Sequence, residues 1–167
     1  REEIMKQAED LGLEGFLLKP ITPSTLFENI MQAFGEATPQ ISRVAQSKEQ
    51  EAKAWENIQG ARVLLVEDNE INQQVAMEIL QGAGITVTIA NNGQEGVDAA
   101  KKNQYEAILM DIQMPVMDGY EATKTIRNWE GGLRRSQPSR MRNEGKDPIP
   151  IIAMTAHAMT GDKQKSL

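Results

Sequence analysis

The chain has 167 residues, a formal net charge of −6, 40% apolar and 25% charged residues, and no cysteine. That balance excludes a collagen and a fully disordered chain; no apolar run approaches the roughly 20 residues of a membrane-spanning helix; and the negative charge argues against broad binding to nucleic acid or an anionic membrane. Without thiols there is no disulfide, iron–sulfur or thiolate-zinc chemistry, which suits a reducing cytosol. No secretory signal opens the sequence, and Arg1 in place of a methionine reads as a piece of a longer protein.

From Arg1 to about Leu11, Ile4, Met5, Ala8 and Leu11 recur at helical spacing, with Gly12 where a helix ends. Next, GFLLKP predicts a short buried strand stopped by Pro20. A second helix is expected from near Pro23 to Gly35, with Leu26, Phe27, Ile30, Met31 and Phe34 on its apolar face. Residues 36–60 read as a linker, poor in large apolar side chains, in which Ser47 and Gln50 frame a short helix through Trp55.

A regular α/β alternation starts at Arg62. VLLV has the continuous apolar character of a strand covered on both faces and runs into Glu67-Asp68-Asn69. A helix over Asn69 to Gly82 follows, its buried stripe expected from Ile71, Val75, Ile79 and Leu80. ITVTIA is a second strand, and Asn-Asn-Gly turns the chain into a helix over about Gln94 to Lys102. AILM is a third strand ending in Asp111, Tyr120 to Trp129 a third helix, and IIAM a fourth strand ending in Thr155. Strands alternating with helices at this spacing predict a parallel, doubly covered sheet. Between the third helix and the fourth strand, Gly131 to Asp147 reads as a solvated loop; Arg134, Arg135, Arg140, Arg142 and Lys146 against Glu144 and Asp147 leave it at +3, which also suits an acidic partner.

In such a sheet the loops leaving the carboxyl ends of the strands converge on one edge, where ligands bind. Glu67 and Asp68, then Asp111, then Thr155 all fall at such ends. An acidic pair beside a helix start is ordinarily only a cap. Three carboxylates brought together, however, repel unless a cation lies among them, and oxygen ligands without His or Cys favour a hard ion such as Mg²⁺. The edge therefore suits Mg²⁺ and a phosphoryl group. His157, the single histidine, follows Thr155-Ala156 in a loop and lacks the helical setting of a phosphotransfer histidine. Met110, Met114, Met117, Met154 and Met159 read as packing, as do Trp55 and Trp129.

The segments VLLVEDNEINQQVA, ANNGQEGVDA, YEAILMDIQMPVMDGYEATKTIR and PIIAMTAHAM resemble, in order, the receiver domains of two-component response regulators. The resemblance implies a flavodoxin-like, CheY-like fold: an α/β, doubly wound parallel sheet of five strands in the order 2-1-3-4-5. It implies that Asp111 is the phosphoacceptor, taking a phosphoryl group from a phosphohistidine. Mg²⁺ would be held by Asp68, Asp111 and the main-chain carbonyl of Gln113, with Glu67 acting through water. Thr155 would hydrogen-bond the phosphoryl group and move with it into space left by Ala156, while Pro115 and Gly119 shape the loop after Asp111, Gly119 by a backbone conformation that a side chain hinders. The implied partners are a histidine kinase or a histidine phosphotransfer domain, in the cytoplasm, within a parent anchored in the inner membrane. Catalysis is self-directed, and any kinase region lies in sequence beyond this chain.

The family also needs a lysine at the end of a fifth strand, and the residues after Thr155 are too few to supply one. REEIMKQAEDLGLEGFLLKPITPSTLFENIMQAFG resembles the missing part, with Lys19 matching the lysine and Phe16 the switch aromatic. The implied organisation is the end of a preceding receiver (1–35), a linker (36–60) and a receiver cut short in its fourth helix (61–167), as in tandem receivers of a hybrid sensor kinase. The 25 residues between Gly35 and Ala61 reach roughly 80 Å when extended, ample for the first segment to complete the sheet within one chain or by exchange in a homodimer. The first turns of the fourth helix then occur twice, at 1–8 and 160–167. Two other readings remain: a phospho-independent interaction module, and an aspartyl-phosphate phosphatase, which is disfavoured because Gln113 stands where such enzymes carry a second acid.

Overall fold

The computed structural model describes residues 12–33, 58–136 and 148–156, together with Lys6, Asp10 and Glu56. The elements are β1 (Gly15–Leu18), α1 (Pro23–Ala33), β2 (Arg62–Val66), α2 (Glu70–Gly82), β3 (Thr86–Ala90), α3 (Gly93–Lys102), β4 (Ala107–Asp111), α4 (Gly119–Ser136) and β5 (Ile151–Thr155). All five strands are parallel, in the order β1-β5-β4-β2-β3. This is the order expected from the sequence, with the N-terminal strand of the same chain in the fifth place.

Strand side chains alternate between the two faces of the sheet, and two cores follow from that period of two. Val63, Leu65, Leu109, Ile152, Met154 and Leu17 pack under α1 and α2. Leu64, Val66, Ile108, Met110, Ile151 and Ala153 pack under α3 and α4. Covering both faces is what permits runs as apolar as VLLV and AILM, whose residues are all buried.

β1 is an edge strand, so the expectation of a buried strand holds for Leu17 but not for Leu18, which is 46% exposed. Its ladder with β5 is lengthened at both ends by Glu14 N–H to the Ile151 carbonyl (2.7 Å) and Lys19 N–H to the Thr155 carbonyl (2.9 Å). At the entry to the strand, Arg127 of α4 donates to the Gly12 carbonyl at 2.6 Å and to Glu130 at 2.8 Å, and Glu130 accepts from Ile149 N–H at 2.9 Å. The N-terminal segment is thereby fastened to both β5 and α4. The last residues of the expected linker also join the body, since Ile58 is buried in the first core.

Three expectations are corrected. In α2 the buried stripe is Gln73, Ala76 and Leu80, whereas Ile71 is 71% and Val75 40% exposed. The third helix does not stop at Trp129 but runs to Ser136, so Gly131 and Gly132 lie inside it although each glycine costs about 1 kcal/mol of helix propensity. Gly119 has no positive φ; a Cβ there would overlap the Asp111 carbonyl oxygen and approach Ile112 Cα to 2.8 Å, so close backbone approach is what requires glycine. The left-handed residue of that loop is Val116 (φ 70). The helix expected at 1–11 (apart from Lys6 and Asp10, both helical), the short helix near Trp55, the doubled turns at 1–8 and 160–167, and His157 fall outside the described residues.

Candidate functional site: a strand-end carboxylate cluster

Because every strand points the same way, all five carboxyl ends open on one edge. β2 delivers Glu67 and Asp68, β4 delivers Asp111, β5 delivers Thr155 and β1 delivers Lys19. Glu67, Asp68 and Asp111 each place a carboxylate oxygen within 4.8 Å of the others; Glu67 and Asp111 are buried and Asp68 is exposed. Lys19 Nζ lies 2.9 Å from Glu67 Oε1 and 3.1 Å from Asp111 Oδ1. Thr155 is half-buried at the end of β5, where its carbonyl accepts from Lys19 N–H. Gln113 lies in the loop after β4, and its backbone hydrogen-bonds the Asp111 carboxylate. Phe16 is half-buried in β1 and packs against the second core. Ala156 is exposed.

Burial and then the charge of Glu67 push Asp111 up to about 6, against the opposing pull of Lys19. Burial would lower the Lys19 ammonium, but its contacts with Glu67 and Asp111 outweigh that and hold it above 10.5. Two acids thus share one cation and remain under-neutralised.

The residues fit Mg²⁺. The donors are all oxygens, the Asp68 carboxylate faces solvent, and the buried Glu67 Oε1 receives no well-directed hydrogen bond, its Lys19 contact being an ion pair. The other Glu67 oxygen is held by Asn69 N–H (3.1 Å) and the Asn72 amide (3.4 Å). Asn69 in turn caps α2 through the Ile71 and Asn72 N–H groups.

Sequence reasoning passed over Gln73, whose Nε2 donates to the Glu67 carbonyl at 2.6 Å and to Asn91 Oδ1 at 2.9 Å. A signal for it existed. Residues 73, 76 and 80 share one helical face, and an amide among the apolar members of a buried stripe must find partners.

The sequence pattern of the response regulator receiver domain matches residues 63–167. The sensor histidine kinase GacS of Pseudomonas protegens is 30% identical over 175 residues, covering 95% of this chain and 18% of that protein. The hybrid signal transduction histidine kinase B of Dictyostelium discoideum is 43% identical over 107 residues, covering 64% of this chain and 5% of that protein. The chain thus spans less than a fifth of the length of either relative. Among solved structures, the receiver domain of the sensor histidine kinase PA1611 from Pseudomonas aeruginosa, with a magnesium ion coordinated in its active-site cleft, aligns at TM-score 0.50 and 42% identity over 63% of this chain and 75% of that one. The receiver domain of Ssk1 from Saccharomyces cerevisiae, crystallised with the histidine phosphotransfer protein Ypd1, aligns at TM-score 0.54 and 36% identity over 65% of this chain and 72% of that one. A parallel sheet with its acids gathered at one edge, and a family pattern matched over well over half the residues, lead to one assignment: this chain belongs to the response regulator receiver domain family, among relatives that are hybrid histidine kinases.

Proposed function

We propose that the chain is a phosphoacceptor module of a phosphorelay, in which Asp111 takes a phosphoryl group from a phosphohistidine on a histidine kinase or histidine phosphotransfer domain. The observation that carries this reading is the buried Asp111 carboxylate flanked by Glu67 and Asp68 and touched by Lys19. A carboxylate oxygen of Asp111 attacks the phosphorus, the phosphorus–nitrogen bond breaks, and its electron pair remains on the imidazole nitrogen, which takes up a proton. Glu67, Asp68, Asp111 and the Gln113 carbonyl would hold Mg²⁺, which when bound supplies positive charge against the phosphoryl oxygens. Lys19 adds a second cation, and the Thr155 hydroxyl hydrogen-bonds a phosphoryl oxygen and draws Phe16 with it. The Ssk1 receiver, solved with a phosphotransfer partner, supports the choice of partner.

In this reading residues 1–35 are the end of a preceding receiver, 36–60 a linker, and 61–167 the receiver that β1 and α1 complete. The GacS match along 95% of the chain supports that collinear arrangement. Exchange of the β1–α1 unit between two copies would give a homodimer, which sedimentation of the intact chain would reveal. The proposed setting is the cytoplasmic side of a larger kinase; among the described residues no helix is long and apolar enough to cross a membrane.

The decisive experiment is titration with beryllofluoride and Mg²⁺, alongside labelling by a small phosphodonor. Saturable, Mg²⁺-dependent binding and labelling in the parent, with labelling abolished in D111N, is the expected result. Equal labelling of D111N would remove Asp111 from its role. No Mg²⁺ or beryllofluoride binding at all would favour the interaction-module reading.

A further inference from the structure

Among the buried residues of α2, Gln73 is the one polar side chain. The ladder explains what it meets. β2 ends at Val66; one residue on, Glu67 N–H still reaches the Ala90 carbonyl of β3 (3.0 Å), whereas the Glu67 carbonyl receives the Gln73 amide at 2.6 Å. The same amide nitrogen donates to Asn91 Oδ1 at 2.9 Å, and Asn91 donates from its backbone and its side chain to Glu95 Oε1 at 2.8 and 3.2 Å. One hydrogen-bonded chain therefore runs from the peptide between Glu67 and Asp68, through α2 and the end of β3, into the first turn of α3.

That peptide is where the geometry of the acidic cluster is decided. In extended backbone, successive side chains point to opposite faces. The Glu67 and Asp68 carboxylates nevertheless come within 4.8 Å of each other and of Asp111, which requires the peptide joining them to turn away from the strand direction. The Ala90 carbonyl holds the N–H of the preceding peptide, and Gln73 holds the carbonyl of this one.

We propose that Gln73 is a positioning residue for the cation site: its amide, itself oriented by Asn91 and Glu95, fixes the peptide that aims Glu67 and Asp68 at a shared ion. This rests on the reading that those acids and Asp111 bind Mg²⁺. Gln73 touches neither the ion nor the phosphoryl group. The plainer alternative is that Gln73 merely satisfies a buried carbonyl, and the two differ in what Mg²⁺ does to stability. A ligand that binds only the folded state raises stability according to its dissociation constant. A structural amide would contribute equally with and without the ion, whereas a positioning amide sets the ion's affinity.

The test is thermal unfolding over a Mg²⁺ titration of the intact chain, for the parent, Gln73→Met, Asn91→Ala and Ile126→Val. The last is a core change in α4, away from the cluster. The dissociation constant obtained from the melting curves should rise about ten- to a hundredfold in Gln73→Met, the range typical of lost outer-shell support. It should rise in the same direction but less in Asn91→Ala, and stay at the parent value in Ile126→Val even though that variant melts lower. Melting temperatures that fall in Gln73→Met and Asn91→Ala with the Mg²⁺ constant unchanged overturn the proposal. Should Gln73→Met not fold, Asn91→Ala decides alone by the same criterion. A parent that shows no Mg²⁺ response overturns the cation site itself and this inference with it.

Discussion

Lys19, just past β1, and Asp111, at the end of β4, meet at 3.1 Å, and the same ammonium lies 2.9 Å from Glu67. The N-terminal segment therefore supplies the one cation among the described residues that neutralises the acidic cluster. Its loss would leave two buried carboxylates facing each other. Lys19→Met is expected to destabilise the protein by about 3 kcal/mol in chelator, the scale of a broken buried pair, and by clearly less in Mg²⁺. Denaturant unfolding in the two buffers checks this; equal losses in both would mean that Lys19 and the ion do not share these acids.

Asp111 makes the metal-free fold sensitive to pH. Its folded-state pKa is raised from 3.8 to about 6, so between those values the folded protein holds a proton that the unfolded chain releases. Stability then falls as pH rises through that window, and the deficit persists at neutral pH. D111N lacks this charge. It is expected to be more stable than the parent by about 1–2 kcal/mol at pH 7.5 in chelator, with the difference vanishing near pH 4. Urea melts at the two pH values test it, and a D111N variant less stable than the parent at pH 7.5 would refute it.

Val116 adopts φ 70 while 79% exposed, and Met117 N–H bonds to the Pro115 carbonyl across it at 2.7 Å, the pattern of a tight three-residue turn. A β-branched side chain is costly in the left-handed region, and exposure means that it gains little packing in return. Val116→Asn is expected to raise stability by about 1 kcal/mol. A lower melting temperature in that variant would show that the Val116 side chain contributes more than its dihedral costs.

Thr123 is fully buried in α4, and its hydroxyl has no hydrogen-bond partner among the described residues. Valine has nearly the same shape without the stranded polar group. Thr123→Val should stabilise the protein by about 1 kcal/mol, as read by chemical denaturation. Destabilisation instead would mean that the hydroxyl is bonded after all.

Much of this was legible in the residues. VLLV, AILM and IIAM could form strands only if both faces were covered, and a parallel sheet sends its strand ends to one edge, so Glu67, Asp68, Asp111 and Thr155 were placed at that edge by pattern alone. Resemblance, rather than periodicity, singled out Lys19. The apolar stripe expected in α2 holds at Leu80 and in part at Ile79 but fails at Ile71 and Val75, because apolarity ranks residues without saying which face of the helix meets the sheet. The Glu67 carbonyl needed a donor at that interface, and turning Gln73 inward left Ile71 and Val75 outside.

For the described residues, the types of the elements, their order and the charges at each strand end were readable from the residues, since these depend on local periodicity and on a topology that short connections restrict. Only the packed coordinates reveal the register in which β1 joins β5, the close contact rather than the dihedral that demands Gly119, and the place of Lys19 between Glu67 and Asp111. Those outcomes turn on distances between segments remote in the chain, which no local preference encodes and only the packed sheet fixes.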